Sequence, residues 1–319
     1  MKRIAVLTAG GDAPGMNAAI RSVVRYGTNN QLEVWGVFRG WWGLINDELK
    51  VLSHRSVSGI INQGGTILKT ARCPEFYTPE GQARAFQTLK KHAIDGLVVI
   101  GGNGSFTAAN IFSKKYNIPC VGIPASIDND VSGIDITIGV DTAINTALDA
   151  IDNIRDTATS MERIFVVEVM GRDCGFIALT VALAGGCEEA LIPEKEFNLE
   201  AICHDIVNGN LRGKISWIIV VAEGAGRAED IAKKINEITS LETRAVVLGH
   251  IQRGGRPTAV SRDLALNLGR AAVDCLMNGE TRKAVGLSCS KIATVDFEVA
   301  IAKKEFRFEK MYNLIKQLS

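Results

Sequence analysis

Three features of this chain predict an α/β protein built as two lobes with mostly parallel sheets. At 319 residues it exceeds what one small hydrophobic core organises. Short apolar runs, bounded by glycine or polar turns, suit strands covered on both faces. Helix-patterned stretches between those runs supply the crossovers of βαβ units.

In chain order, Ile4–Leu7, Glu33–Phe38, Gly96–Ile100 and Cys120–Ile123 read as strands of a first lobe. Ile164–Val169, Ala190–Ile192, Trp217–Ala222 and Arg244–Leu248 read as strands of a second. Thr142–Arg155 and Ala228–Ile238 carry helical patterns. A long helix-like stretch, Thr258–Met277, follows a Gly-Gly-Arg-Pro turn and is expected to return to the first lobe. Neither a low-complexity linker nor a short-period repeat divides the chain.

Charge narrows the function classes. Thirty-six Lys and Arg stand against 35 Asp and Glu, a balance unlike that of a nucleic-acid or membrane-surface binder. Neither a nucleic-acid nor a membrane partner is expected, so basic residues act in local pockets. The first apolar run is too short for a signal-peptide core, and no run is long enough to span a bilayer. Seven scattered cysteines without a CxxC pair fit free thiols in a reducing cytoplasm.

The segment Pro124-Ala125-Ser126-Ile127-Asp128-Asn129-Asp130 carries most of the chemistry. It follows a buried parallel strand, and open α/β sheets build active sites at such carboxyl ends. In extended chain, residues i and i+2 point the same way, so Asp128 and Asp130 are expected to share a cleft. One could accept a proton from a hydroxyl while the other helps hold a metal. A plain polar turn is the competing reading.

Two glycine loops sit in the same relation to strands. Thr8-Ala9-Gly10-Gly11-Asp12-Ala13-Pro14-Gly15-Met16-Asn17 follows the first strand, and Gly101-Gly102-Asn103-Gly104-Ser105 follows the third. Glycines let backbone amides approach an anion, and a helix amino end adds a favourable dipole. Neither GxxxxGK[ST] nor GxGxxG is present, which argues against a Walker loop or a dinucleotide fold. Arg72, with Cys73 beside it, is a candidate for charge on phosphoryl oxygens. Arg163, Arg172, Arg244, His250 and Arg253 lie in polar, glycine-bearing contexts suited to phosphate.

Taken together, five segments resemble the bacterial ATP-dependent 6-phosphofructokinase family, whose members include allosteric tetramers. They are Gly10–Asn17, Thr70–Phe76, Ser126–Asp130, Met170-Gly171-Arg172 and Gly249–Gly255, in the family's order along the whole chain. The resemblance implies two Rossmann-like lobes with the active site in the cleft between them. It places an ATP-binding lobe at 1–139 and 252–302, and a fructose 6-phosphate lobe at 140–251 and 303–319. It implies Mg2+ and ATP as phosphoryl donor, a cytoplasmic enzyme and a homotetramer with sites shared between subunits.

Residue by residue, Gly11, Arg72, Cys73, Gly102, Gly104 and Ser105 match positions that contact ATP. Asp128 matches the general base for the sugar 1-hydroxyl, and Asp130 a second acid near metal and sugar. Ser126 stands where the family usually has threonine. Arg172 matches a transition-state and sugar ligand, with Met170, Gly171 and Glu223 as sugar-contacting positions beside it; the catalytic set implied is Asp128, Arg172, Ser126, Gly11 and Arg72. Arg163, Arg244, His250 and Arg253 match the 6-phosphate pocket, the first two reaching in from a neighbouring subunit. Arg21, Arg25, Arg155, Glu188, Arg212 and Lys214 match effector positions for ADP and phosphoenolpyruvate, although Gly59 replaces an acid there.

Asn103 departs from the family, which carries a magnesium-binding acid at that position. Asparagine keeps a carbonyl ligand but loses a charge, so weaker metal-nucleotide binding is expected. Relatives that use pyrophosphate carry Asp at the position of Gly104 and Lys at that of Ala125; the small residues here favour ATP. The alternatives are a pyrophosphate-dependent enzyme and a catalytically weak nucleotide or sugar-phosphate sensor.

Overall fold

The first apolar run forms strand β1 (Arg3–Thr8), five of whose six residues are buried, as a strand covered on both faces requires. The computed structural model describes all 319 residues. From β1 the chain continues through α1 (Met16–Asn29), β2 (Glu33–Val37), α2 (Gly40–Ile45), β3 (Leu49–Leu52) and α3 (Pro79–Lys91). It then forms β4 (Gly96–Gly101), α4 (Asn103–Tyr116), β5 (Cys120–Ser126) and the short β6 (Ile138–Gly139). Next come α5 (Val140–Met161), β7 (Ile164–Val169), α6 (Phe176–Ala184), β8 (Glu189–Leu191), α7 (Leu199–Leu211), β9 (Trp217–Ala222), α8 (Ala228–Thr239) and β10 (Thr243–Val247). The last elements are α9 (Ala259–Met277), β11 (Lys283–Ser288), β12 (Lys291–Asp296), α10 (Phe297–Ala300) and α11 (Glu309–Leu318).

Two units result. Met1–Thr142 and Arg253–Glu305 make the first, Ala143–Gln252 and Phe306–Ser319 the second. In the first, the sheet order is β12-β11-β5-β4-β1-β2-β3, with β6 on β5. Strands β11, β5, β4, β1 and β2 run parallel, while β12 and β3 pair antiparallel at the edges. The strand order reverses between β1 and β4, the switch point at which open α/β sheets bind ligands. The second unit has a four-stranded parallel sheet, β10-β7-β9-β8.

Each unit has its own apolar core. In the first, Trp41, Phe76, Phe106, Phe112 and Phe297 are buried with Val99 and Leu97. The Phe106 and Phe297 rings stack at 5.3 Å, and a β-carbon on Gly122 would lie 2.5 and 2.8 Å from them, so β5 needs glycine at that point. In the second, Ile164, Val166, Ile219 and Val221 meet Ile202 and Ile206 of α7 and Ile231 and Ile235 of α8.

All eight strands expected from sequence are present, seven within a residue at their ends and β5 running three residues further, to Ser126. The helix expected over Thr142–Arg155 runs longer, over Val140–Met161. The stretch after the Gly-Gly-Arg-Pro turn is α9, and it packs on α1 within the first unit. Strands β3, β6, β11 and β12 were not expected. No helix is long and apolar enough to cross a membrane.

Candidate active site

Both glycine loops leave a helix amino end without a side-chain cap. Helix α1 starts after Gly15, α4 after Gly102, and neither has an acidic residue in its first turn. The strands that feed them are neighbours, with Thr8 of β1 opposite Ile100 of β4. Backbone N–H groups without intrahelical partners, two positive dipole ends and first turns free of acidic residues make this edge suited to a polyphosphate. The Ser105 hydroxyl donates to the Ala9 carbonyl at 2.9 Å and so ties one loop to the other. Gly104 is exposed, and a β-carbon there would meet nothing within 4 Å. Arg72 is exposed too, with Cys73 half-buried next to it.

One strand further across the sheet, β5 delivers Ser126–Asp130. This segment is not extended as the i, i+2 argument requires: Ile127 and Asp128 form a turn, and Asn129 adopts a left-handed φ of 54°. Asparagine tolerates that conformation better than most residues. Its side chain fixes the turn, accepting from Thr137 N and donating to the Asp135 carbonyl, each at 3.1 Å. Asp128 is consequently buried, 3% exposed, while Asp130 is half-buried. The Ser126 hydroxyl links the two, accepting from Asp128 N at 3.3 Å and donating to Asp130 Oδ1 at 2.9 Å. The Asn129 and Thr137 supports were missed in the sequence; the αL tolerance of an Asn between two Asp was the available signal.

Asn103 and Asp130 are brought together as a candidate metal pair. The Asn103 amide donates to the Asp130 backbone carbonyl at 3.1 Å and to its Oδ2 at 3.4 Å. Its Oδ1 is buried without a hydrogen-bond partner. An orphaned amide oxygen beside a carboxylate fits a hard cation such as Mg2+, which takes oxygen ligands and keeps water and substrate phosphate in its shell. No cluster of three His, Cys, Asp or Glu side chains offers a complete protein cage instead.

In the second unit, the carboxyl ends of β7 and β9 hold Met170, Gly171, Arg172 and Glu223. Glu223 Oε1 accepts the Arg172 backbone N–H at 3.0 Å, and Glu223 N donates to the Val169 carbonyl at 2.9 Å. Gly171 has a φ of 146°, and Arg172 one of 50°. A β-carbon on Gly224 would lie 1.9 Å from the Arg172 carbonyl, so glycine there is what lets the two loops approach. Arg172 is exposed on this frame.

Arg163 and Arg244 share one carboxylate. Arg163 Nε lies 2.9 Å from Glu242 Oε2, and Arg244 Nη2 lies 2.5 Å from Glu242 Oε1. These two arginines hold the Glu242 carboxyl below its usual range. His250 is exposed on the turn after β10. Arg253 belongs to the first unit, where its guanidinium lies against Gly11: a β-carbon on Gly11 would be 2.7 Å from Nη1. Arg253 thus reaches the first glycine loop, and the resemblance matches it to the 6-phosphate pocket.

The residues matched to an effector site fall into two groups. Glu188, Arg212 and Lys214 line a cavity of about 440 Å³ in the second unit, with Lys316 and Ser319. Lys214 Nζ is 3.3 Å from Glu188 Oε1. Arg155 donates to the carbonyls of Gly185 and Gly186, just before Glu188. Arg21 and Arg25 belong to the first unit, Arg21 donating to the Val57 carbonyl at 2.8 Å. Burial, then the nearby Arg25 charge, lowers the Arg21 pKa. Gly59 leaves open space beside that segment.

Known proteins resemble this chain along its whole length. The family model described as Phosphofructokinase matches residues 3–276. The ATP-dependent 6-phosphofructokinase of Clostridium botulinum is 51% identical over 319 residues, covering all of both chains. The protein of that name from Bacillus thuringiensis is 52% identical over the same span. Among solved structures, phosphofructokinase from Saccharomyces cerevisiae superposes with a TM-score of 0.91 at 34% identity, covering 100% of this chain and 48% of that one.

Proposed function

This chain belongs to the phosphofructokinase family, and from that premise we infer how its side chains divide the work of its reaction. The enzyme transfers a phosphoryl group from ATP to the 1-hydroxyl of fructose 6-phosphate, giving ADP and fructose 1,6-bisphosphate, a glycolytic step. The observation that carries the assignment of roles is the buried Asp128 carboxylate, one strand from two uncapped helix amino ends.

Phosphoryl transfer depends on positioning and charge neutralisation more than on covalent work by the protein. The amino ends of α1 and α4 bind the nucleotide phosphates, with Gly11, Gly102 and Gly104 keeping the surface free of side chains and Cys73 and Ser105 at its margin. Asp128 accepts the proton of the sugar 1-hydroxyl as that oxygen attacks the γ-phosphorus. Ser126 holds the turn that aims Asp128. Arg72 and Arg172 take up the charge spread over the transferred oxygens, for which guanidinium forks are well shaped. Asn103 Oδ1 and Asp130 would hold Mg2+, which supplies further positive charge to those oxygens when bound. Met170, Gly171, Glu223 and Asp130 contact the sugar, and Arg163, Arg244, His250 and Arg253 its 6-phosphate.

Arg163 and Arg244 serve a neighbouring subunit of a homotetramer; their shared tether to Glu242 at the β10 edge supports that reading. The cavity lined by Glu188, Arg212 and Lys214, with Arg155 nearby, takes a phosphorylated effector such as ADP or phosphoenolpyruvate, completed by Arg21 and Arg25 of another subunit. Seven free cysteines support a cytoplasmic setting.

A coupled assay for fructose 1,6-bisphosphate, with magnesium titrated against ATP or pyrophosphate, tests the reading. Turnover with ATP, lost in a folded Asp128→Asn variant by ~10²–10⁴-fold, is expected. Turnover with pyrophosphate alone would overturn the donor, and unimpaired Asp128→Asn would overturn the base.

A further inference from the structure

Gln252 is fully buried, at 0% exposure, yet it carries a polar amide. Such a group persists in a core only when both of its ends are bonded. Its Oε1 accepts the Met170 backbone N–H at 2.8 Å, and its Nε2 donates to the Ala143 carbonyl at 3.4 Å. The partners fix the orientation of the amide, since the flipped group would set donor against donor.

The place of this bond along the sheet is informative. The β7–β10 ladder ends with Val247 opposite Glu168, and Leu248 N donates to the Glu168 carbonyl at 3.0 Å. Beyond that point the β10 backbone leaves into the Gly249–Arg253 turn. Met170 N has then lost its strand partner, and the Gln252 side chain supplies the missing carbonyl. The same amide reaches α5, so three segments meet on one side chain: the end of β7, the turn carrying His250, and the first turn of α5.

We propose that Gln252 is a positioning residue for sugar-phosphate recognition, setting the Met170-Gly171-Arg172 loop in register with His250. The inference rests on the reading of those residues as fructose 6-phosphate ligands. Small displacements of binding groups cost much in such sites, because their geometry must be held before substrate arrives.

Two variants test it in the full-length enzyme. Gln252→Met keeps the volume and removes both bonds. It should raise the KM for fructose 6-phosphate by ~10-fold or more while leaving the KM for ATP within about twofold. Gln252→Glu adds a pH signature. Protonated, it keeps a carbonyl for Met170 N and an O–H for the Ala143 carbonyl; ionised, it loses the donor. Burial raises a carboxyl pKa, so the fructose 6-phosphate KM of this variant should climb with pH through a step that the parent enzyme lacks.

An unchanged fructose 6-phosphate KM in both variants would overturn the inference, as would equal shifts in both KM values. If Gln252→Met does not fold, the pH step of Gln252→Glu decides. Arg172→Ala, measured alongside, separates the two levels. If it leaves the fructose 6-phosphate KM unmoved, the site reading itself has failed; if it raises that KM and the Gln252 variants do not, only the positioning role has.

Discussion

The side chain of Asn103 donates to Asp130, at 3.1 Å to its backbone carbonyl and 3.4 Å to its carboxylate Oδ2. This contact joins the loop after β4 to the turn after β5 without a cation. An acid at position 103 would instead place two carboxylates face to face. Like charges about 4 Å apart repel by about 1 kcal/mol in water and about 4 kcal/mol near a protein surface. Asn103→Asp should therefore unfold at a lower temperature than the parent in metal-free buffer, with added Mg2+ closing the gap. It should also reach half-maximal rate at lower magnesium. Thermal unfolding with and without Mg2+, in the absence of nucleotide, reads the first effect. Identical curves, with an unchanged magnesium dependence, would place residue 103 away from the metal.

Gly104 lies in the first turn of α4, exposed and with open space at its β-carbon position. Gly104→Asp should fold as well as the parent, because nothing is displaced and an acid in a first helical turn favours the dipole. The same charge would repel a nucleotide phosphate at that helix end. We expect the KM for ATP to rise by roughly 10-fold or more, equivalent to about 1.4 kcal/mol, with the fructose 6-phosphate KM little changed. Steady-state kinetics in both substrates decides, and an unmoved ATP KM would remove the amino end of α4 from the nucleotide site.

The strands that build the sheet centres were legible because burial on both faces writes itself as unbroken apolar sequence, as in Gly96–Gly101 and Trp217–Ala222. The β11–β12 hairpin was not. Its two-residue turn uses Cys289 and Ser290 at φ 51° and 61°, a conformation usually announced by Asn-Gly, and β12 is largely exposed. In the site, the residues were legible but their geometry was not. Asp128 and Asp130 are adjacent in any reading, yet the turn through Asn129 buries one and leaves the other half-exposed. Gln252 was hidden for a different reason: its partners, Met170 and Ala143, are 82 and 109 residues away, and no local pattern records them.

The cysteines should differ sharply in reactivity. Burial pushes the Cys120 and Cys187 thiols up to about 12 and Cys275 up to about 11, so they remain protonated and inaccessible at pH 8. Cys289 is exposed and should be alkylated first. Cys73 is half-buried with a pKa raised mainly by burial, and it should follow more slowly. Because Cys73 adjoins Arg72, saturating ATP should slow its modification further while leaving Cys289 unaffected. Timed alkylation followed by peptide mass spectrometry checks both orders, and Cys73 labelling indifferent to ATP would take it out of the nucleotide pocket.

The C-terminal helix α11 is fastened by chemistry that titrates in base. Lys316 is ion-paired with the buried Glu189, and Lys195 sits 3.4 Å from the centre of the Tyr312 ring. Burial, then the Glu189 charge and its hydrogen bond, raises the Tyr312 pKa above the ordinary tyrosine value. The folded state thus holds the phenol proton more tightly than the unfolded chain does. By linkage, that contribution is fully present below the unfolded tyrosine pKa of about 10 and is lost as pH rises beyond it toward the folded value. Thermal stability should fall as pH rises past about 10, and Tyr312→Phe, which has no proton to lose, should show a shallower decline. Parallel slopes for the two proteins would mean that some other group governs the alkaline limb.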